Sequence, residues 1–155
     1  MKNVIEAALV AARRAGAYLQ ASAGGNIEEW TKESLHSIAT NHDLEAERII
    51  IDALKAEGPD IAIVSEEAQK GRRELQPPLW VIDPIDGTSY FARGLGTYSV
   101  SIAYVDSDGA RVGVVFSPAT NEMFHAERGR GAYLNNEKLG VSLVDDPRKA
   151  IVTFS

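Results

Sequence analysis

The 155-residue sequence contains no cysteine, which excludes disulfides, thiolate metal sites and a cysteine nucleophile and fits a cytoplasmic location. It has no long apolar run either. Nothing approaches the ~18 consecutive apolar residues of a membrane-spanning helix, so no membrane partner is expected. The N-terminal stretch MKNVIEAALVAARRAGAYL sets Glu6 within a helical apolar pattern, which argues against a secretory leader. Basic clusters are also missing: none is larger than pairs such as Arg13-Arg14 and Arg72-Arg73, and 16 basic against 22 acidic residues leave a net charge of −6. A nucleic-acid groove needs a concentrated basic face, so no nucleic-acid partner is expected. The three histidines, His36, His42 and His125, have no metal-ligand spacing and read as surface or internally satisfied polar residues.

What is present suits one ordinary globular domain, with 45% hydrophobic and 25% charged residues. Val4, Ala8, Ala11, Ala12, Ala15 and Leu19 form a helical stripe over residues 3–20, which Gly24-Gly25 stops. Thr40 and Asp43 form a capping pattern for a second helix, whose apolar face is Ala46, Ile49, Ile50, Ala53 and Leu54. Asp43 then falls at the buried edge of its first turn. After Gly58-Pro59 the pattern turns to strands: residues 61–64, 79–83, the alternation around Val100, Ile102 and Tyr104, then 111–116 and 122–126. Short turns at residues 106–109, 117–121 and Asn135-Asn136 join the later ones, predicting an antiparallel meander. Helices first and strands after predict an α+β fold, two N-terminal helices packed on a largely antiparallel sheet. Residues 150–155 read as a further strand entering another layer, as in a sequence cut before its next element.

The chemistry concentrates in acids placed at the ends of apolar segments: Asp43, Glu66, Asp83 and Asp86. Asp83 and Asp86 stand three residues apart in WVIDPIDGTSY, a segment with no lysine or arginine to neutralise them. Burying such acids is costly unless they are paired, protonated or bound to metal. Oxygen donors without thiols or a histidine pair point to Mg²⁺ or Mn²⁺ rather than Zn²⁺. Gly87 permits close backbone approach, and the amides of residues 87–89 could open a short helix that receives phosphate. The plainer reading stays open at this level: a proline–aspartate–glycine turn, a helix-capping Asp43 and solvated loop acids at Glu66-Glu67.

The order of these elements resembles the inositol monophosphatase family. The family signature D-P-[IL]-D-G-[ST] stands here as Asp83-Pro84-Ile85-Asp86-Gly87-Thr88 after an apolar strand. The acidic pair after an Ile/Val strand is Glu66-Glu67, and the T-x-x-D opening the second helix is Thr40-Asn41-His42-Asp43. Ser99-Val100-Ser101-Ile102, Val112-Gly113-Val114-Val115 and Arg128-Gly129-Arg130-Gly131-Ala132 with Asn135 also fit. The resemblance implies the first half of an αβαβα sandwich and a Mg²⁺-dependent phosphomonoesterase that hydrolyses a small anionic phosphate ester, such as inositol monophosphate, with metal-activated water. It implies two or three Mg²⁺ ions, with Mn²⁺ as an alternative. Glu66, Asp83, Asp86 and the Ile85 carbonyl would be metal ligands. Asp43 would hydrogen-bond Thr88, and these two with Glu66 would orient the attacking water. The Gly87 and Thr88 amides would bind phosphate. A homodimer is implied as well.

Ser37, Ser65 and Tyr90 depart from residues common in the family, without removing any of these ligands. The W-D-x-x-[AG] signature of the family's C-terminal α/β portion is absent: the tryptophans are Trp30 and Trp80, followed by Thr31 and Val81. Residues 1–155 are therefore read as an N-terminal metal-binding domain. Fructose-1,6-bisphosphatase, histidinol-phosphatase and 3′-phosphoadenosine-phosphate phosphatase are alternatives within the family. A non-catalytic metal-binding or regulatory fragment is the alternative from another class.

Overall fold

The computed structural model describes residues 3–25, 27–31, 38–66 and 76–151. Helix α1, Val4–Ser22, buries Ala7, Ala8, Ala11, Ala12, Ala15 and Leu19 completely. These short side chains let its backbone lie close to the layers beneath. The closeness is greatest at Gly16, where a Cβ would meet the Phe116 ring at 2.3 Å. Helix α2, Asn41–Glu57, opens on the expected capping box between Thr40 and Asp43 and buries Ala46, Ile50, Ala53 and Leu54. It ends at Gly58, whose amide donates to the Leu54 carbonyl at 2.8 Å.

The two helices pack side by side on one seven-stranded sheet, α1 over β5 and β6, α2 over β4. The strands are β3 Ala62–Ser65, β4 Leu79–Asp86, β5 Ser99–Asp106, β6 Gly109–Ser117, β7 Glu122–Glu127, β8 Gly131–Leu134 and β9 Glu137–Lys138. They lie in the sheet in that order, every pair antiparallel except β3–β4. Trp80, Ile82, Val100, Ile102, Val112, Val114 and Met123 form the core beneath the helices, at one turn each of the period-two alternation. The opposite face carries Val81, Val115 and Phe124, each about 40% exposed.

The α+β class and the meander are as the pattern predicts. Three features differ. β3 and β4 are parallel, where a meander would make them antiparallel. β1 (Glu29–Thr31) and β2 (Ile38–Thr40) form a separate two-stranded antiparallel sheet, too short to show a period in the sequence. Residues 150–151 follow a 3₁₀ turn, Pro147–Lys149, and belong to no strand, while residues 152–155 and the loop at 70–74 lie outside the described residues. Among the described residues no helix is long and apolar enough to cross a membrane.

Candidate metal and phosphate site

The site grows from the end of β4. Burial along this strand alternates until Asp83, with Trp80 and Ile82 inside, Val81 exposed and Asp83 half-buried. Two residues three apart on a regular strand point to opposite faces. Here Asp83 pairs with Ser101 and Asp86 with Ser99, so one extra residue is bulged out on β4 between them. Ser99 and Ser101 share a face of β5, and the bulge therefore brings both aspartates to the same side. Pro84, at the bulge, has no amide to lose from the ladder.

Gly87 follows at φ 93° and ψ 35°, the left-handed region. A Cβ there would lie 2.8 Å from the Thr97 carbonyl and 3.3 Å from the Tyr98 Cα. Only glycine fits, and its carbonyl accepts from the Tyr90 and Phe91 amides at 2.9 and 3.1 Å to open helix α3, Thr88–Ala92. Thr88 is the first residue of that turn. Its hydroxyl has one proton and two acceptors, Asp43 Oδ1 at 3.0 Å and the Ile85 carbonyl at 2.9 Å.

Asp43 reaches Thr88 from α2 and is 1% exposed. Its other oxygen, Oδ2, accepts from the Thr40 amide at 2.7 Å and the Thr40 hydroxyl at 2.6 Å. The capping box therefore fixes this carboxylate before Thr88 meets it.

Glu66 stands at the end of β3, where its amide donates to the Ile82 carbonyl at 3.2 Å. That bond continues the parallel pairing and carries the glutamate toward Asp83. Burial, followed by the charges of Glu66 and Asp86, pushes the Asp83 carboxyl up to about 7, against 3.8 for an ordinary aspartate. A hydrogen bond shared with Glu66 acts in the same direction and one with the Ile85 backbone opposes it. Asp83 Oδ1 is buried with no hydrogen-bond partner. A cleft of about 220 Å³ opens beside it, walled by Val64, Val81, Ser101 and Ala103.

Among the described residues no three acidic or histidine side chains stand close enough to enclose one ion between them. Asp83 instead carries the repulsion of two neighbouring acids, Glu66 and Asp86. An orphaned buried carboxylate oxygen flanked by two further acids, with only hard oxygen donors around it, fits a divalent cation of the Mg²⁺ kind.

A profile of the Inositol monophosphatase family matches residues 1–155. The chain belongs to the inositol monophosphatase family. Its members here include the Fructose-1,6-bisphosphatase/inositol-1-monophosphatase of Thermotoga maritima, 44% identical over 119 residues, covering 76% of this chain and 44% of that protein. The Nus factor SuhB of Vibrio cholerae is 36% identical over 154 residues, covering 98% of this chain and 57% of that protein. The chain thus spans about half the length of the curated relatives it matches. The solved Thermotoga maritima IMPase superposes with a TM-score of 0.77 at 39% identity, over 87% of this chain and 52% of that one. A solved IMPase/NADP phosphatase complexed with Mg²⁺ and phosphate gives a TM-score of 0.64 at 25% identity, over 73% and 43%.

In this member of the inositol monophosphatase family, the signature at residues 83–88 occupies the bulge, the left-handed glycine and the first turn of α3. The structure brings Asp43 to Thr88 and Glu66 to Asp83, two pairs far apart in sequence. Glu67, Ser37 and His36 lie outside the described residues. No pattern in the sequence pairs Tyr18 with His42, whose Nδ1 lies 2.7 Å from the tyrosine hydroxyl. His125 bonds the Asn135 carbonyl at 3.0 Å through Nε2 and stacks on Tyr133, but its buried Nδ1 has no hydrogen-bond partner among the described residues.

Proposed function

We propose that the chain forms the metal- and phosphate-binding half of a Mg²⁺-dependent phosphomonoesterase, with Mn²⁺ as the alternative ion. The observation that carries this reading is Asp83, held by a strand yet left with a buried oxygen unpartnered between two other acids. Glu66, Asp83, Asp86 and the Ile85 carbonyl would hold two or three ions. Such ions supply positive charge against phosphate oxygens and acidify water, and they offset the chain's net charge of −6 toward an anionic substrate.

The protein groups supply position. Because the Thr88 proton is committed to Asp43 and Ile85, the hydroxyl oxygen is left to accept from a water. Glu66 is the second acceptor for that water, so its oxygen can face phosphorus. The Gly87 and Thr88 amides receive the phosphate oxygens at the opening of α3. Phosphoryl transfer depends mainly on such positioning and charge stabilisation.

The substrate is a small phosphate ester such as inositol monophosphate. Fructose 1,6-bisphosphate, histidinol phosphate and 3′-phosphoadenosine phosphate are the alternatives, separated by residues of a C-terminal α/β domain that would complete the site. A homodimer is proposed with it. The test is Mg²⁺-dependent phosphate release from this panel, by the chain and by the uninterrupted reading frame that contains it. No release by the longer polypeptide on any ester would remove the catalytic reading.

A second reading draws on the SuhB relative, named a Nus factor and aligned with nearly all of this chain. A regulatory protein would keep the fold and bind Mg²⁺ without releasing phosphate from any of these esters.

A further inference from the structure

Behind the site runs a line of ring contacts that the proposed chemistry does not use. His42, 7% exposed, lies in the first turn of α2 between Thr40 and Asp43. Its Nδ1 is 2.7 Å from the hydroxyl of Tyr18 on α1, with the two ring centres 5.7 Å apart. On its other side it meets Phe91 of α3 edge-on, at 5.5 Å and 74°. Phe91 in turn meets Tyr98 edge-on at 5.0 Å and 78°, and the Tyr98 Cα borders the space that Gly87 leaves empty. Helices α1, α2 and α3 and the segment leading into β5 are joined through these rings.

The position matters because the Thr88–Asp43 bond spans two helices. Asp43 is the residue after His42, and Thr88 is one turn before Phe91. The His42 amide also donates to Thr40 Oγ1 at 3.2 Å, and that hydroxyl donates to Asp43 Oδ2. An aliphatic side chain could fill the same volume, but nothing would fix its direction. An imidazole anchored at Nδ1 cannot rotate without losing a hydrogen bond, and edge-to-face contact with Phe91 has a preferred geometry.

We infer that His42 is a positioning residue: held by Tyr18 and wedged against Phe91, its ring sets the spacing between the first turn of α2 and α3, and through it the Thr88–Asp43 hydrogen bond. The inference rests on the roles proposed above for Thr88 and Asp43. It makes His42 a determinant of turnover that touches neither phosphate nor ion.

The deciding experiment compares Tyr18→Phe, His42→Leu and His42→Asn, the last placing an amide near the position of Nδ1. The first readout needs no turnover. The NMR resonances of the Thr88 methyl and amide should shift in Tyr18→Phe and His42→Leu and return toward wild type in His42→Asn, with β7 amides unmoved. Unmoved Thr88 resonances in Tyr18→Phe, which keeps the ring and the fold, would overturn the inference. The second readout is kinetic: His42→Leu should lower kcat about ten- to a hundredfold with KM within about twofold. In a Thr88→Val background the same change should lower kcat no further, and an equal loss in both backgrounds would overturn it. Failure of the phosphatase reading looks different, as absence of phosphate release from the wild-type protein while the resonance shifts remain.

Discussion

Thr88 Oγ1 donates toward Asp43 Oδ1 across 3.0 Å, tying the turn after β4 to a carboxylate already fixed by its helix cap. Thr88→Val keeps the shape and removes the proton. Asp43 Oδ1 is then left without this donor in a buried place, which costs about 1–3 kcal/mol of stability. Phosphate release should fall about a hundredfold or more, while Thr88→Ser retains most of it. Thermal midpoints and kcat on one preparation check both halves.

Asp83→Asn should remove Mg²⁺ binding without unfolding the chain, because the amide keeps the size of the side chain and lacks its charge. In the wild type, Mg²⁺ at about a hundred times its dissociation constant stabilises by about 2.7 kcal/mol, a rise in thermal midpoint of about 5–10 °C. The variant should show no rise. A Mg²⁺-dependent rise of the wild-type size in Asp83→Asn would remove Asp83 from the ligand set.

Removing the metal should expose a pH dependence with a definite sign. Burial and the neighbouring acids raise the Asp83 carboxyl to about 7 in the folded, metal-free chain, from 3.8 in the unfolded one. The folded state therefore holds this proton more tightly. Its contribution is complete below pH 3.8 and is lost as pH rises through about 7. Urea midpoints of EDTA-treated protein should fall from about pH 5 to about pH 8, more steeply than in Asp83→Asn. Added Mg²⁺ should flatten the wild-type slope. Equal slopes in wild type and variant would show that Asp83 does not carry it.

Three glycine substitutions separate conformation from space. Gly87→Ala meets both a positive φ and the Thr97 carbonyl at 2.8 Å, and should cost about 1–3 kcal/mol with most of the activity. Gly16→Ala meets the Phe116 ring at 2.3 Å and should cost about 1–3 kcal/mol through overpacking, with activity largely kept. Gly113→Ala has no atom within 4 Å of the new carbon and should stay within about 0.5 kcal/mol of wild type. Chemical denaturation of the three variants side by side checks the order.

The helices, the capping box and the meander were legible because each rests on a local rule. Thr40 and Asp43 lie within the first turn of one helix start, and Val112, Val114 and Phe116 repeat with the period of a strand. The bulge that puts Asp83 and Asp86 on one side was not legible in β4 itself. Their spacing on a regular strand predicts opposite faces, and a bulge is set by pairing with β5 rather than by β4 alone. The parallel register of β3 and the meeting of Tyr18 with His42 are likewise non-local, decided by tertiary packing between segments whose own patterns are silent about each other.

Strands β4 to β9 are neighbours both in the sheet and along the chain, so this part can zip up one hairpin at a time with little loop-closure entropy. β3 pairs with β4 in parallel, so no tight hairpin can join them. Glu66 directly follows β3, and the hydrogen bond from its amide to the Ile82 carbonyl ties its position to that parallel register. A slip of β3 along β4 would therefore part Glu66 from Asp83 and leave the bulge that aligns Asp83 with Asp86, set by pairing with β5, in place.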